Sequence, residues 1–383
     1  MNIVLSRKGS EKVRYHSPYL TTEDFIEALP SEGTVVTLLD GKTSLGQAYI
    51  GHGHRYQVAL LQDDLSVPAL TKLFREAYEL RGHKFKLLPT AYCLIHSEAD
   101  GLPGIEIEIY QYYASITYFN AGILKFEGVI QASLFAVLPH LRGVYRRLRL
   151  PQVTAIEPEL SYGVPAPEEL VIEEAVGKYF VKLNEGLMTG LFLDQRTNRV
   201  WLSQHSKDKH VCNTFSYTGS LSVACALGGS ASTTSVDLSK TYSQYCRNNL
   251  TLNHLSPETN KVVVSDTFDH FAYCERKELK YDMIILDPPT FSKKKKGSFS
   301  VPDNYHQLIT QASNLLTLGG TLVCSTNYSQ WTQAAFAKLI KDTLARNNKQ
   351  AELLYQSSAD HDFPVNPYWP ESQVLKFVAV VVK

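Results

Sequence analysis

No stretch of the 383-residue chain comes near the roughly 20 consecutive apolar residues that a membrane helix needs. The opening residues, MNIVLSRKGSEK, also lack the apolar core of a signal peptide. Both absences point to a cytoplasmic protein with no membrane partner. The six cysteines (Cys93, Cys212, Cys225, Cys246, Cys274 and Cys324) form no C-x-x-C pair, which argues against a zinc site or a disulfide framework and suits a reducing compartment. Excess charge is missing too, since 38 Lys and Arg balance 38 Asp and Glu. A nucleic-acid partner is therefore not announced by net charge, and phosphate contacts would have to come from local patches. Two candidates are Arg142, Arg146, Arg147 and Arg149, and the run Lys293 to Lys296.

What is present is organised around His210 to Asp237. Val211 to Phe215 is an apolar run that stops at a turn, Ser216-Tyr217-Thr218-Gly219. Ser220 could cap a helix with Val223, Ala224 and Leu227 on one face, and Gly228-Gly229 would end it. A second strand closes on Asp237. A glycine turn between strand and helix, with a carboxylate about twenty residues on, is the βαβ layout that holds a nucleoside cofactor. The turn lets backbone approach the ligand, and the acid takes two ribose hydroxyls. G-x-G-x-x-G is lacking, so no diphosphate is implied.

Downstream the βα rhythm continues. A strand from Lys261 to Ser265 ends in Asp266, and one from Met283 to Leu286 ends in Asp287-Pro288-Pro289-Thr290-Phe291. A helix stops at Gly319-Gly320, a strand runs from Thr321 to Ser325, and Val374 to Val382 is a last strand. Alternating strands and helices mean an α/β domain with a parallel sheet, whose ligands bind at the carboxyl ends of the strands. Asp237, Asp266 and Asp287 all fall at such ends. Upstream, residues 1–68 read as a small β-rich unit, in which Ser6 to Leu20 is either a solvated strand or an RNA-contacting edge. Residues 69–184 read as an α+β unit with a helix from Ala69, an alternating strand Ile105-Ile107-Ile109, a loop from Ser161 to Glu168 and a hairpin arm from Val171 to Lys182. Residues 185–383 form the third unit.

At Asp287-Pro288-Pro289-Thr290-Phe291 a resemblance emerges. The pattern, after an apolar strand and downstream of a βαβ unit, looks like motif IV of S-adenosylmethionine (SAM) dependent methyltransferases. With FSYTG, GLFLDQR and DGLPGI, the chain resembles the bacterial large-subunit (23S) ribosomal RNA methyltransferases. The catalytic half is closest to the guanine-N7 half of the fused bifunctional rRNA enzyme. The resemblance implies a class I, Rossmann-like SAM-dependent domain at 185–383, preceded by a PUA-like RNA-binding domain at 1–68 and a central α+β domain at 69–184. It implies SAM as cofactor and large-subunit rRNA as partner, with a second copy of the chain as a candidate partner.

By position, the resemblance makes Phe215, Tyr217 and Gly219 the cofactor turn and Asp237 the ribose ligand. Asp266 accepts from the adenine amino group, and Asp194, Gln195 and Arg196 hold the methionine end. Asp287, Pro288, Pro289 and Phe291 face donor and acceptor base, with Phe291 as the stacking platform, and Asn327 bonds the guanine edge. Related cytosine-C5 enzymes carry their cysteine in a Ser-Cys-Ser after the Gly-Gly strand, and here GGTLVCSTNYS puts Asn327 at that position. Cytosine C5 is a poor nucleophile that needs thiolate addition, whereas guanine N7 has an exposed lone pair and needs mainly placement. Guanine N7 is thus the leading acceptor. Cytosine C5 attacked through Cys324 is the alternative, and an exocyclic amine is a third. A non-catalytic RNA-binding or assembly protein with a vestigial SAM pocket is the reading of another class.

Overall fold

The computed structural model describes the whole chain except residues 54–55, 86–88, 152–155, 187 and 294–297. Met1–Leu170, Lys182–Thr189 and His361–Ser372 form one compact unit, and Val171–Val181, Gly190–Asp360 and Gln373–Lys383 form the other. Among the described residues no helix is long and apolar enough to cross a membrane.

The first unit holds two five-stranded sheets. One is built from Asn2–Val4, Tyr19–Leu20, Val35–Asp40, Thr43–Ile50 and Val58–Leu61. Arg7–Arg14 is a helix rather than the expected strand: the Ser6 hydroxyl caps it by accepting from Gly9 N at 3.1 Å, and Val13 is its buried apolar anchor. The second sheet contains Ala91–His96, Ile105–Tyr110, Tyr113–Tyr118, Gly143–Leu148 and Glu159–Gly163. That last strand takes residues 161–163 out of the expected loop. Period-two alternation sends Ile105, Ile107 and Ile109 into a core with Leu70, Leu73, Phe74 and Ala77 of the helix Val67–Phe85 and Ile130 and Leu134 of the helix Glu127–Val137.

The second unit is built on one seven-stranded sheet. Its strands are β1 (His210–Thr214), β2 (Ser232–Asp237), β3 (Asn260–Val264), β4 (Tyr281–Leu286), β5 (Leu316–Thr326), β6 (Ala351–Ser357) and β7 (Lys376–Val382). Their order is β3-β2-β1-β4-β5-β7-β6. The first five are parallel, and β7 runs antiparallel to both β5 and β6. The expected α/β Rossmann-like architecture is present, with two corrections. An antiparallel pair, including β6, which the sequence reading missed, completes the sheet. β5 begins at Leu316, so Gly319 and Gly320 lie within the strand rather than ending a helix. The strand order reverses between β1 and β4, and an open α/β sheet binds ligands in the crevice at such a switch point.

Candidate functional site

The carboxyl edge of β1 to β5 gathers nearly every residue singled out in the sequence. After β1 the chain enters a turn in which Phe215, Tyr217 and Gly219 have φ of 52°, 50° and 78°. Left-handed backbone is costly for aromatic residues and concentrates at ligand sites. Gly219 is required twice over, because a Cβ there would sit 2.2 Å from Cys246 Sγ. It also occupies the cap position of the helix Ser220–Leu227, so Ser220 is the first helical residue and not the cap expected of it.

Asp237, at the tip of β2, fixes this turn. Its Oδ2 accepts from Tyr217 N and its Oδ1 from Ser239 N, each at 2.8 Å. A carboxylate offers about four acceptor positions, so each oxygen retains capacity for a ribose hydroxyl. Burial pushes the Asp237 carboxyl up, while the backbone N–H groups of Ser239 and Tyr217 oppose the shift. At the end of β3, Asp266 Oδ1 caps the next helix by accepting from Phe268 N at 2.9 Å. Phe268 packs near Phe299, and Phe299 near Phe215, with ring centroids 6.3 and 5.8 Å apart. An aromatic wall therefore borders the acids. These features fit a nucleoside: a backbone cradle that a side chain would fill, and a carboxylate with room for two donors.

Asp287 follows β4. Gln195 Nε2 lies 3.3 Å from its Oδ2 and 3.0 Å from Ser325 Oγ on β5. Asn198 Nδ2 donates to Gln195 Oε1 at 2.6 Å, so the amide is oriented from behind. Burial raises the Asp287 carboxyl to about 6, opposed by the bonds from Ser325 and Gln195. The Tyr305 hydroxyl lies 3.0 Å from Leu286 O and 2.8 Å from Ser325 O, between the ends of β4 and β5.

Beyond Asp287, Pro288 is buried and Pro289 exposed. Phe291 is 57% exposed and opens a two-stranded hairpin, Phe291–Lys293 with Ser298–Ser300. It is therefore a surface ring and not a core one. Lys294, Lys295 and Lys296 lie outside the described residues, as does the side chain of Lys293. Asn327 is exposed just past β5, and Thr290 Oγ1 donates to its Oδ1 at 2.7 Å. Cys324 is fully buried within β5, opposite Leu286 on one side and Val378 on the other, and its thiol is pushed far up by burial.

The segment expected to hold the methionine end is divided in its engagements. Gln195 faces Asp287, whereas the buried Arg196 donates to Asp360 Oδ2 at 2.6 Å and stands 3.6 Å from Glu174 Oε1. Asp194 is half-buried in the short helical turn Leu193–Gln195, and its carbonyl accepts from Asp360 N at 3.2 Å. Sequence reasoning missed Asn249. Its Nδ2 donates to Thr218 O at 2.9 Å and its Oδ1 accepts from Phe180 N at 2.9 Å, tying the turn after β1 to the hairpin strand Lys178–Val181. A buried asparagine on a helix face was the available signal.

The other candidate basic residues are largely engaged inside their own unit. Arg7, Lys8, Lys12 and Arg14 pair with Glu11, Glu23, Asp24 and Asp40. Arg146 pairs with Glu127 and Glu159, and Arg147 is buried, donating to the carbonyls of Lys182, Leu183 and Gly186. Arg149 points a guanidinium nitrogen at Met188 Sδ. Of Arg142, Arg146, Arg147 and Arg149, Arg142 alone is exposed, stacked 4.6 Å over the Tyr112 ring.

A family model described as S-adenosylmethionine-dependent methyltransferase matches residues 155–366. Ribosomal RNA large subunit methyltransferase I of Aeromonas salmonicida (strain A449) is 30% identical over 387 residues, covering 97% of this chain and 97% of that protein. Ribosomal RNA large subunit methyltransferase K/L of Acinetobacter baumannii (strain AYE) is 42% identical over 169 residues, 43% of this chain and 23% of that protein. The crystal structure of SMU.776, described as a methyltransferase complexed with SAH, superposes with a TM-score of 0.92 at 32% identity, over 100% of both chains.

Proposed function

Because the chain belongs to the SAM-dependent methyltransferases, among the bacterial large-subunit rRNA enzymes, we propose that it methylates large-subunit rRNA at guanine N7. SAM is the cofactor, and it supplies an electrophilic methyl group. The chain's own residues then have to cradle the nucleoside, orient the acceptor base and tolerate the positive charge that appears on the purine. In this reading Gly219 and the Phe215–Tyr217 backbone admit the cofactor, Asp237 takes its ribose and Asp266 its adenine edge. Asp194, Gln195 and Arg196 border the methionine end, with Arg196 acting through its acidic partners. Phe291 stacks the extruded base, since a base inside folded RNA must be splayed out to reach such a pocket. Asp287 as a carboxylate steadies the charged purine.

One observation carries the choice of atom. Cytosine C5 chemistry requires a thiolate at the acceptor face. The Cys324 thiol has no exposure and is held neutral by burial, while the exposed position at the tip of β5 is an amide, Asn327. An N7 lone pair asks for in-line placement and no covalent help. Residues 1–68 serve as the PUA-like RNA-binding domain in this reading and 69–184 as the central domain, and the enzyme works in the cytoplasm. The test is nucleoside mass mapping of rRNA from cells lacking the protein, beside a Cys324→Ala variant. We expect one lost 7-methylguanosine and near-normal turnover of the variant. Loss of a 5-methylcytidine, or an inactive variant that still folds and binds SAM, overturns the reading.

A further inference from the structure

The amide that would meet the target base is held at its oxygen, and the residue after it is anchored in turn. Thr290, three residues after Asp287, donates its hydroxyl to Asn327 Oδ1 at 2.7 Å. The next residue in the chain, Tyr328, is anchored as well: its N–H donates to Thr326 Oγ1 at 3.2 Å and its carbonyl accepts from Lys376 Nζ at 2.9 Å. Lys376 is buried on β7, opposite Thr326, and its second contact is Val374 O at 2.9 Å. The loop that follows β5 is thus fastened from the sheet below and from the Asp-Pro-Pro-Thr loop beside it. A carboxamide has one acceptor end and one donor end. With Oδ1 engaged by Thr290, the exposed end of Asn327 is the two-hydrogen donor, and no described residue accepts from it.

We propose that Thr290 is a positioning residue that locks Asn327 as a hydrogen-bond donor, so that the site selects its base by an acceptor edge. On guanine this edge is O6, next to N7. An exocyclic amine is itself a donor and finds no acceptor at this position, so amino-group methylation is rejected by the same contact. Discrimination of this kind operates once the base covers the amide, because a mismatched donor pair then leaves both groups without partners. The inference rests on the guanine-N7 reading for the identity of the edge, but the lock itself concerns only which end of the amide faces outward.

The experiment compares wild type with Thr290→Val, Thr290→Ser and Asn327→Asp, using SAM and an in vitro transcript of large-subunit rRNA. It reads kcat/KM, SAM affinity by calorimetry, and the identity of the methylated nucleoside. Loss of one well-aligned hydrogen bond predicts roughly a tenfold fall in kcat/KM for Thr290→Val. Thr290→Ser, which keeps the hydroxyl, should recover to within about threefold, and SAM affinity should hold in both. Asn327→Asp presents only acceptors and should lose about 100-fold. Thr290→Val at wild-type kcat/KM overturns the lock, as does a serine variant no better than valine or a product methylated on an exocyclic amine. The product reports separately on the underlying reading: a methylated pyrimidine carbon, with the Val loss and Ser rescue intact, sinks guanine N7 and leaves Thr290 its role.

Discussion

Burial raises the Asp287 carboxyl to about 6, so in the proposed reaction its protonation sets the pH dependence. With the anion proposed to steady a purine cation, log kcat/KM should rise with slope near one up to about pH 6 and then level. Asp287→Asn should flatten that profile and lower its plateau at least about 100-fold. The same shift has the opposite sign for stability. A folded-state pKa above the unfolded value means the native state binds the proton more tightly. That contribution is complete below the ordinary carboxylate range and is lost as pH rises through about 6. Asp287→Asn should therefore stabilise the protein at pH 8, by about 1 kcal/mol after discounting for partial exposure. Urea unfolding at pH 5 and pH 8 checks the sign. At Gly219 a new Cβ meets both a left-handed φ and the Cys246 sulfur, so Gly219→Ala should cost about 1–2 kcal/mol and weaken SAM binding more than tenfold. Such residues were legible because each is punctuation: a glycine where a strand turns into a helix, or an acid where a strand ends. Thr290 and Asn249 were not, since their roles depend on which distant atom they reach.

At the scale of elements, the candidate site depends on two fastenings. Tyr305 stands between the carbonyls of Leu286, the last residue of β4, and Ser325, the penultimate residue of β5. Tyr305→Phe should destabilise by about 1–2 kcal/mol and lower methyl transfer more than SAM binding, because the two strand tips carry Asp287 and Asn327. Thermal melts and single-turnover rates separate the two effects. The turn of the hairpin Leu170–Glu173 and Lys178–Val181 carries Glu174, which takes Arg199 through two bonds of 2.7 Å. Arg196 shares that acid. Glu174→Gln leaves a buried guanidinium under-compensated, so it should cost about 3 kcal/mol in chemical denaturation. The parallel half of the sheet was readable from its βα rhythm, since each strand is a short apolar run bounded by a turn. β6 was not, because its alternation is weak and Leu353 and Leu354 are both exposed. The helix Arg7–Arg14 was read as strand because it is almost wholly polar and owes its form to Ser6 and to ion pairs with residues outside the helix.

For the whole molecule, electroneutrality sets the terms of RNA binding. With 38 charges of each sign, the protein has no global field to gather phosphates. Local cations must do it, and those of the N-terminal helix are already matched by acids. Replacing Lys293, Lys294, Lys295 and Lys296 with Ala should weaken RNA binding and flatten its salt dependence, whereas neutralising Arg7 and Lys8 should leave the slope unchanged. Filter binding across a salt series distinguishes these, and an unchanged slope for the lysine variant removes that loop from the interface. The polypeptide passes between its two compact units five times. No single seam exists at which one half could be exchanged for another: a fragment starting at Gly190 abandons the acid that neutralises Arg199, and one ending at Leu170 forfeits the stretches 182–189 and 361–372. Swapping modules between relatives would therefore demand several simultaneous splices.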